Sequence, residues 1–394
     1  MSVLLLVVAV LLPLALVVEL AVRWWLRLVG AYYVFPPGLR LRLHLDRDAF
    51  PELEPVVRFE VNRDGERGAE PPPVAPGETL YRVLVVGGSQ PEGYMLDQDT
   101  FWPGALHRLL SAPEQLRALG ASKAHAGSIA RSGVGSEALD LMLARVLPRY
   151  PRLAAIVILV GASDVLRWLE EGAPPSPSSA PAESELFKCH PAGPFGWTPG
   201  ATAIAELLRR ARRRVLRPVQ VSQRVGKWIA KARRMRAGAK VIRWAMPDPA
   251  PMLDHFDKYF RRVVQRAKAH ADRVVVVRQS WFDKEPLTAE ETSHMWHGGV
   301  GQAWCEEVTT FYSIEVTSRL MARLDARAAR VAAELGAEQI DLRAILEPSL
   351  ATYYDFFHLT PSGAQAVASA VARTLVRDAV DHAALDSASP RCVA

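Results

Sequence analysis

Two rhythms of apolar residues divide this chain. Near-unbroken apolar runs at 83–86, 153–160 and 273–277 read as strands buried on both faces of a parallel sheet, where β-branched residues follow one another without alternation. Shorter strands are expected near Ala124 and at 339–342. Helical spacing fills the intervals: Leu106, Leu109 and Leu110 behind Trp102 and Pro103, then 137–146, 254–270 and 312–335. A last helical pattern, 364–376, follows Pro361, which is acceptable in a first helical turn. Strands alternating with helices predict an α/β fold, a three-layer αβα sandwich around a parallel sheet. No internal repeat is present.

The two ends of the pattern differ from its middle. Residues 2–20 are almost wholly Leu, Val and Ala, broken by Pro13 and Glu19 and followed by Trp24 and Trp25. About 20 apolar residues suffice to cross a bilayer and tryptophan favours its interface, so an uncleaved transmembrane anchor is expected over 1–22. Arg23, Arg27, Arg40 and Arg42 all follow that stretch and nothing basic precedes it, which by the positive-inside rule points the main domain at the cytoplasm. A juxtamembrane segment, 23–76, is Pro-rich. Within it 56–62 alternates apolar and polar residues ahead of Asp64 and Gly65, the signature of an edge strand or hairpin. The main domain is expected over 77–383, with a basic insertion or lid at about 165–250 and a tail at 384–394.

Composition sharpens this outline. Of 394 residues 49% are hydrophobic and 23% charged, with a net charge of +6, enough for one large core plus an appendage. The basic excess sits in the stretch from Arg209 to Lys240, where Leu207, Leu208, Val215, Leu216, Val225, Trp228 and Ile229 interleave with the cations. That pattern fits a solvated helix face or a helix lying on an anionic membrane. No nucleic-acid-binding motif accompanies the charge, so nucleic acid is not an expected partner. Cys189, Cys305 and Cys392 are widely spaced and odd in number, which excludes a disulfide framework and a zinc cluster.

Candidate chemistry gathers where strands end. The 83–86 run passes into Gly87, Gly88 and Ser89, presenting a hydroxyl beyond the carboxyl end of a strand, where open α/β sheets bind ligands. A serine needs a base and the base an orienting carboxylate. Asp355 and His358, two residues apart, can supply both, with Nε2 left to face Ser89. Gly133 offers an unobstructed backbone N–H and Ser163 a hydroxyl towards a developing oxyanion, together with the Ser89 amide. Asp164 is expected to brace its loop. His294 and His297 have a spacing compatible with metal ligands, but no third ligand is evident in sequence, and they are expected to be surface or lid histidines. Trp296 and Trp304 suit either an acyl or sugar pocket or the core. A Gly-x-Ser-x-Gly elbow is excluded by Pro91, and no lysine follows the glycines as in a phosphate loop.

These blocks, in this order, resemble the SGNH (GDSL-like) hydrolases, over about residues 56–380. Gly87-Gly88-Ser89 matches the family's first block, Gly133 (with Gly135 in reserve) its second, Gly161 to Asp164 its third, and Asp355-x-x-His358 its last. The Asn62 to Gly68 and Asp97 to Trp102 stretches also look like bacterial members. The resemblance implies a membrane-anchored serine esterase or acylhydrolase acting on an oxygen ester of a carbohydrate or lipid. Ser89 would be the nucleophile, His358 the base and Asp355 the orienting acid, with neither metal nor organic cofactor. An O-acetyltransferase of envelope polysaccharide and a non-catalytic carbohydrate- or lipid-binding module are the alternatives. It also implies an envelope-facing domain, against the arginine flank. Ser163 departs from the family, which places asparagine there as an oxyanion donor.

Overall fold

The structure, a computed structural model, describes residues 3–28, 32–177, 182–187, 202–215, 218–222 and 224–388. In chain order its strands are β1 (Arg40–His44), β2 (Val56–Glu60), β3 (Leu80–Gly87), β4 (Lys123–Ser128), β5 (Leu153–Leu159), β6 (Val219–Ser222), β7 (Val241–Arg243), β8 (Ala271–Arg278), β9 (Thr310–Tyr312) and β10 (Glu338–Asp341). The helices are α1 (Val3–Leu28), α2 (Ser89–Glu92), α3 (Trp102–Leu110), α4 (Pro113–Ala118), α5 (Ser136–Val146), α6 (Ala162–Glu170), α7 (Glu183–Leu186), α8 (Ala203–Val215), α9 (Arg224–Ala237), α10 (Ala250–His270), α11 (Ala289–His294), α12 (Ile314–Glu334) and α13 (Pro361–Ala388).

The five expected strands form one parallel sheet in the order β10-β8-β5-β3-β4. Its middle is a dry layer: Val83 to Val86, Ile156, Val157, Ile158 and Val275 are all fully buried. Helices α5, α6, α10 and α12 pack together as one group and α3, α4 and α13 as another, each resting on the sheet. The chain is therefore mixed α/β with a parallel sheet, as the alternating pattern requires. The expected edge strand is β2, and its partner is β1, antiparallel, with Arg40 opposite Glu60 and His44 opposite Val56. β6 from the basic insertion completes this small second sheet by pairing parallel with β1. The third-block loop differs from expectation, because a helix, α6, begins at once at Ala162.

The amino terminus and the insertion call for two corrections. Among the described residues no helix is long and apolar enough to cross a membrane, so the span expected over 1–22 is not met. The helix there runs on to Leu28, and its polar residue has work inside the protein: Glu19 accepts from Arg23 Nε at 2.7 Å and from the Ala203 and Ile204 backbone N–H groups at 2.6 and 3.1 Å. A carboxylate at the first turn of α8 meets free N–H groups and the positive end of the helix dipole. The basic stretch, secondly, is not simply a solvated or lipid-facing surface. Arg233 of α9 donates to the carbonyls of Ala49 (2.6 Å) and Tyr354 (2.9 Å), and Arg236 donates to those of His297 and Tyr312. Both guanidiniums turn into the protein to meet these backbone carbonyls. Part of the expected lid, 178–181 and 188–201, and the last six residues of the expected tail, 389–394, lie outside the described residues; α13 continues to Ala388.

β3 ends in a turn that tolerates no side chain. Gly87 has φ +149°, and a Cβ there would sit 1.8 Å from the Leu159 carbonyl oxygen, a backbone atom of the adjacent strand. The next residue's N–H bonds that same carbonyl at 3.1 Å. We expect Gly87→Ala to cost about 3 kcal/mol or more, since both the conformation and the close approach forbid the methyl group. Chemical denaturation of the variant against the parent checks this, and an unchanged midpoint would contradict it.

Candidate active site

Ser89, Asp355 and His358 converge although 269 residues separate the serine from the histidine. His358 Nε2 lies 2.8 Å from Ser89 Oγ, and its Nδ1 lies 2.8 Å from Asp355 Oδ2. Ser89 opens α2 directly after the β3 turn, while Asp355 and His358 share the loop that leads to α13. The Asp355 carboxylate is fully buried and takes four hydrogen bonds. Oδ1 accepts from the Phe357 and His358 backbone N–H groups at 3.0 and 2.9 Å, and Oδ2 accepts from Trp296 Nε1 at 3.0 Å as well as facing His358 Nδ1. Burial alone would raise this carboxyl, but the neighbouring His358 and His297 and these bonds outweigh it and hold Asp355 well below the usual carboxylate range.

Three further polar networks hold the loops around Ser89 and His358 in register, none of them visible in sequence. The first centres on Gln90, beside the serine and 3% exposed. Its amide donates to Ser280 Oγ (3.1 Å) and to the Phe357 carbonyl (2.8 Å), and its oxygen accepts from Gln279 Nε2 (2.8 Å). One side chain thus ties the serine turn to the residue before His358 and to the end of β8. The second is Glu92, buried at the other end of α2, which accepts from the Ser132 N–H at 2.8 Å and from the Ser132 hydroxyl. Burial pushes its carboxyl up despite these bonds. In the third, fully buried Arg67 donates to the carbonyls of Glu92, Gly93 (2.7 Å) and Leu96 (2.6 Å) and lies over the Phe59 and Phe101 rings. Asp164, expected to brace a loop, lies instead in the first turn of α6 and ties it to the start of α5, accepting from Ser136 N–H at 3.0 Å and Ser136 Oγ at 2.6 Å.

Ser89, Gly133, Ser163 and His358 all line one cavity of about 470 Å³, with Trp296 and Trp304 on its wall. Gly133 has φ +76°, a left-handed conformation suited to glycine, and no atom lies within 4 Å of where its Cβ would be, so the space on that side of it is open. The Ser163 hydroxyl lies beside the nucleophile turn, 3.6 Å from where a Cβ on Gly88 would be. The two expected metal-spaced histidines are not surface groups and do not act as a pair. His294 faces the Tyr354 carbonyl at 3.2 Å, whereas His297 stacks on Trp296 (3.7 Å between ring centres) and sits 5.8 Å from the His358 ring. Burial drives His297 down to about 3, so it is a neutral wall beside the triad. His297, Asp355 and His358 do offer ligand atoms within 4.8 Å of one another. However, both nitrogens of His358 are already engaged by Ser89 and Asp355, so the geometry favours the hydrogen-bonded relay.

No protein-family model and no curated protein sequence matches the chain. Solved structures that align with it include an acetylxylan esterase from Geobacillus stearothermophilus, 12% identical over 76% of this chain and 94% of that one, with a TM-score of 0.38. An α/β hydrolase from the metagenome of Lake Arreo, Spain, is 11% identical over 77% and 96%, with a TM-score of 0.39.

Trp296, read in sequence as a pocket or core residue, is the one side chain besides His358 that bonds Asp355 among the described residues, and a substitution removes its donor with little change of shape. We expect Trp296→Phe to slow labelling of Ser89 by a fluorophosphonate about tenfold, equivalent to ~1.4 kcal/mol, close to the value of one hydrogen bond to a charged group. Mass spectrometry of the labelled peptide over time measures this, and an unchanged rate would show that Trp296 only fills space.

Proposed function

We propose that this chain is a serine esterase of the SGNH type, with an αβα sandwich as its scaffold and an oxygen ester as its substrate. The observation that carries the reading is the continuous relay from Asp355 through His358 to Ser89, at 2.8 Å per step, opening into the cavity of about 470 Å³. Ser89 Oγ attacks the ester carbonyl as His358 Nε2 takes its proton. Asp355 fixes the imidazole in the tautomer that leaves Nε2 free to accept, and stabilises the imidazolium that forms. The tetrahedral oxyanion is met by the Ser89 and Gly133 amides and the Ser163 hydroxyl. His358 then returns the proton to the leaving alcohol, and water repeats the sequence on the acyl-enzyme.

Ser163 is the weakest of these donors, because a hydroxyl is shorter than the asparagine amide of the family and can rotate away. Removing one oxyanion donor costs on the order of a hundred- to a thousandfold in rate, so a longer donor placed there has room to help. We place the catalytic domain on the envelope side; protease accessibility in spheroplasts tests that placement.

Turnover of 4-nitrophenyl acetate is the direct test of the esterase reading. Ser89→Ala should fall to the background rate, and Ser163→Asn should match or exceed the parent. A parent protein with no ester turnover and no fluorophosphonate label on Ser89 would sink the enzyme reading. Turnover that appears only when a sugar acceptor is added would instead assign an acetyltransferase.

A further inference from the structure

The wall of the cavity carries a carboxyl group that the ester chemistry does not use. Ser163, Leu166, Arg167 and Glu170 line it together, at spacings of three, four and seven residues, so one face of α6 runs along the pocket from the oxyanion end outwards. At 1.5 Å per residue Glu170 stands about 10 Å along the axis from Ser163. Its carboxyl makes no hydrogen bond or ion pair among the described residues, and Arg167, the nearest cation, is engaged by Glu171 at 3.3 Å. Burial pushes the carboxyl up to about 7. The backbone of Glu170 is held firmly, its carbonyl accepting from the Gly301 N–H at 2.7 Å, which docks the 301–306 loop onto α6. That loop brings Gln302 and Trp304 to the cavity, and the Trp304 side chain is 45% exposed.

Resting on the esterase reading, we propose that Glu170 is a specificity-determining residue, which hydrogen-bonds a hydroxyl of a sugar carrying the scissile ester while the ring lies against Trp304. Four physical arguments converge on a carbohydrate over a long acyl chain. A half-enclosed carboxyl facing a hydrocarbon chain keeps no partner and carries the full cost of its desolvation. A sugar hydroxyl both donates and accepts, so it satisfies the carboxyl whether ionised or protonated. The separation of about 10 Å along α6 accommodates an acetyl group and one pyranose ring between the oxyanion donors and Glu170. An exposed indole supplies the flat apolar face against which the C–H side of a pyranose packs.

The test compares kcat/KM for a mono-O-acetylated methyl pyranoside with that for 4-nitrophenyl acetate, in the full chain. The sugar-to-aryl ratio should fall 10- to 100-fold in Glu170→Leu and stay within threefold of the parent in Glu170→Gln, which keeps a donor and an acceptor. An octanoate ester should gain on the acetate in Glu170→Leu. A sugar-to-aryl ratio unchanged in Glu170→Leu would overturn the inference, as would a parent enzyme that turns over aryl acetate but not the acetylated pyranoside. A parent inactive on both, with Ser89 unlabelled, would instead mark the failure of the esterase reading.

Discussion

A single buried carboxylate organises this molecule. Asp355 has no contact with solvent, and an unpaired charge in such a place is untenable. Four donors from two separate segments meet it, and each imposes a conformation. The Phe357 and His358 amides curl their own loop back onto Oδ1, which aims the imidazole. Trp296 anchors a second loop on Oδ2, and His297 and Phe357 stack alongside, so the cavity wall is built around the same charge. Arg233 lies close enough for its charge to interact with Asp355 while it holds the Tyr354 carbonyl, which joins α9 to the arrangement. Satisfying the buried charge and shaping the site are here one event.

The sheet supplies rigidity where that charge supplies direction. Parallel strands deliver their carboxyl ends to one edge, and there the Gly87 turn passes so close to Leu159 that the serine has little freedom of placement. Gln90 then spans the gap between the serine turn and the histidine loop. A sub-ångström error in the Ser89–His358 separation matters to proton transfer, and a fully bonded amide between the two loops is a stiff way to set it. The basic insertion joins this design from outside, because β6 adds a strand to the β1–β2 sheet while Arg233 and Arg236 reach the loops of the site.

Much of this was legible in sequence, for identifiable reasons. Buried parallel strands are written as unbroken β-branched runs, and all five strands of the main sheet fell where such runs or their shorter counterparts lay. Ser89, Asp355 and His358 were legible because they occupy strand ends and a helix entrance in a recognisable order. Gln90, Glu92, Arg67 and Trp296 were not, since their roles are long-range hydrogen bonds of up to 267 residues' separation that no local spacing encodes. The arginines misled for a different reason. A charge run reports that cations are dense, not which of them turn inwards, and Arg233 and Arg236 find carbonyl partners only after the chain has folded. At the amino terminus, apolar composition alone hid the packing of Glu19 on the first turn of α8.

The most economical element in the site is α6. Its first turn places Ser163 beside the Gly88 turn and Asp164 against Ser136, and about two turns are enough to reach Glu170 on the same face. A helix is stiff over so short a length, so its two ends cannot move independently. Any shift of the Ser163 hydroxyl must carry Glu170 and the docked 301–306 loop with it. The helix is held at its far end by the Gly301 N–H and at its near end through Asp164, so the residues it lends to the cavity wall are fixed as one piece.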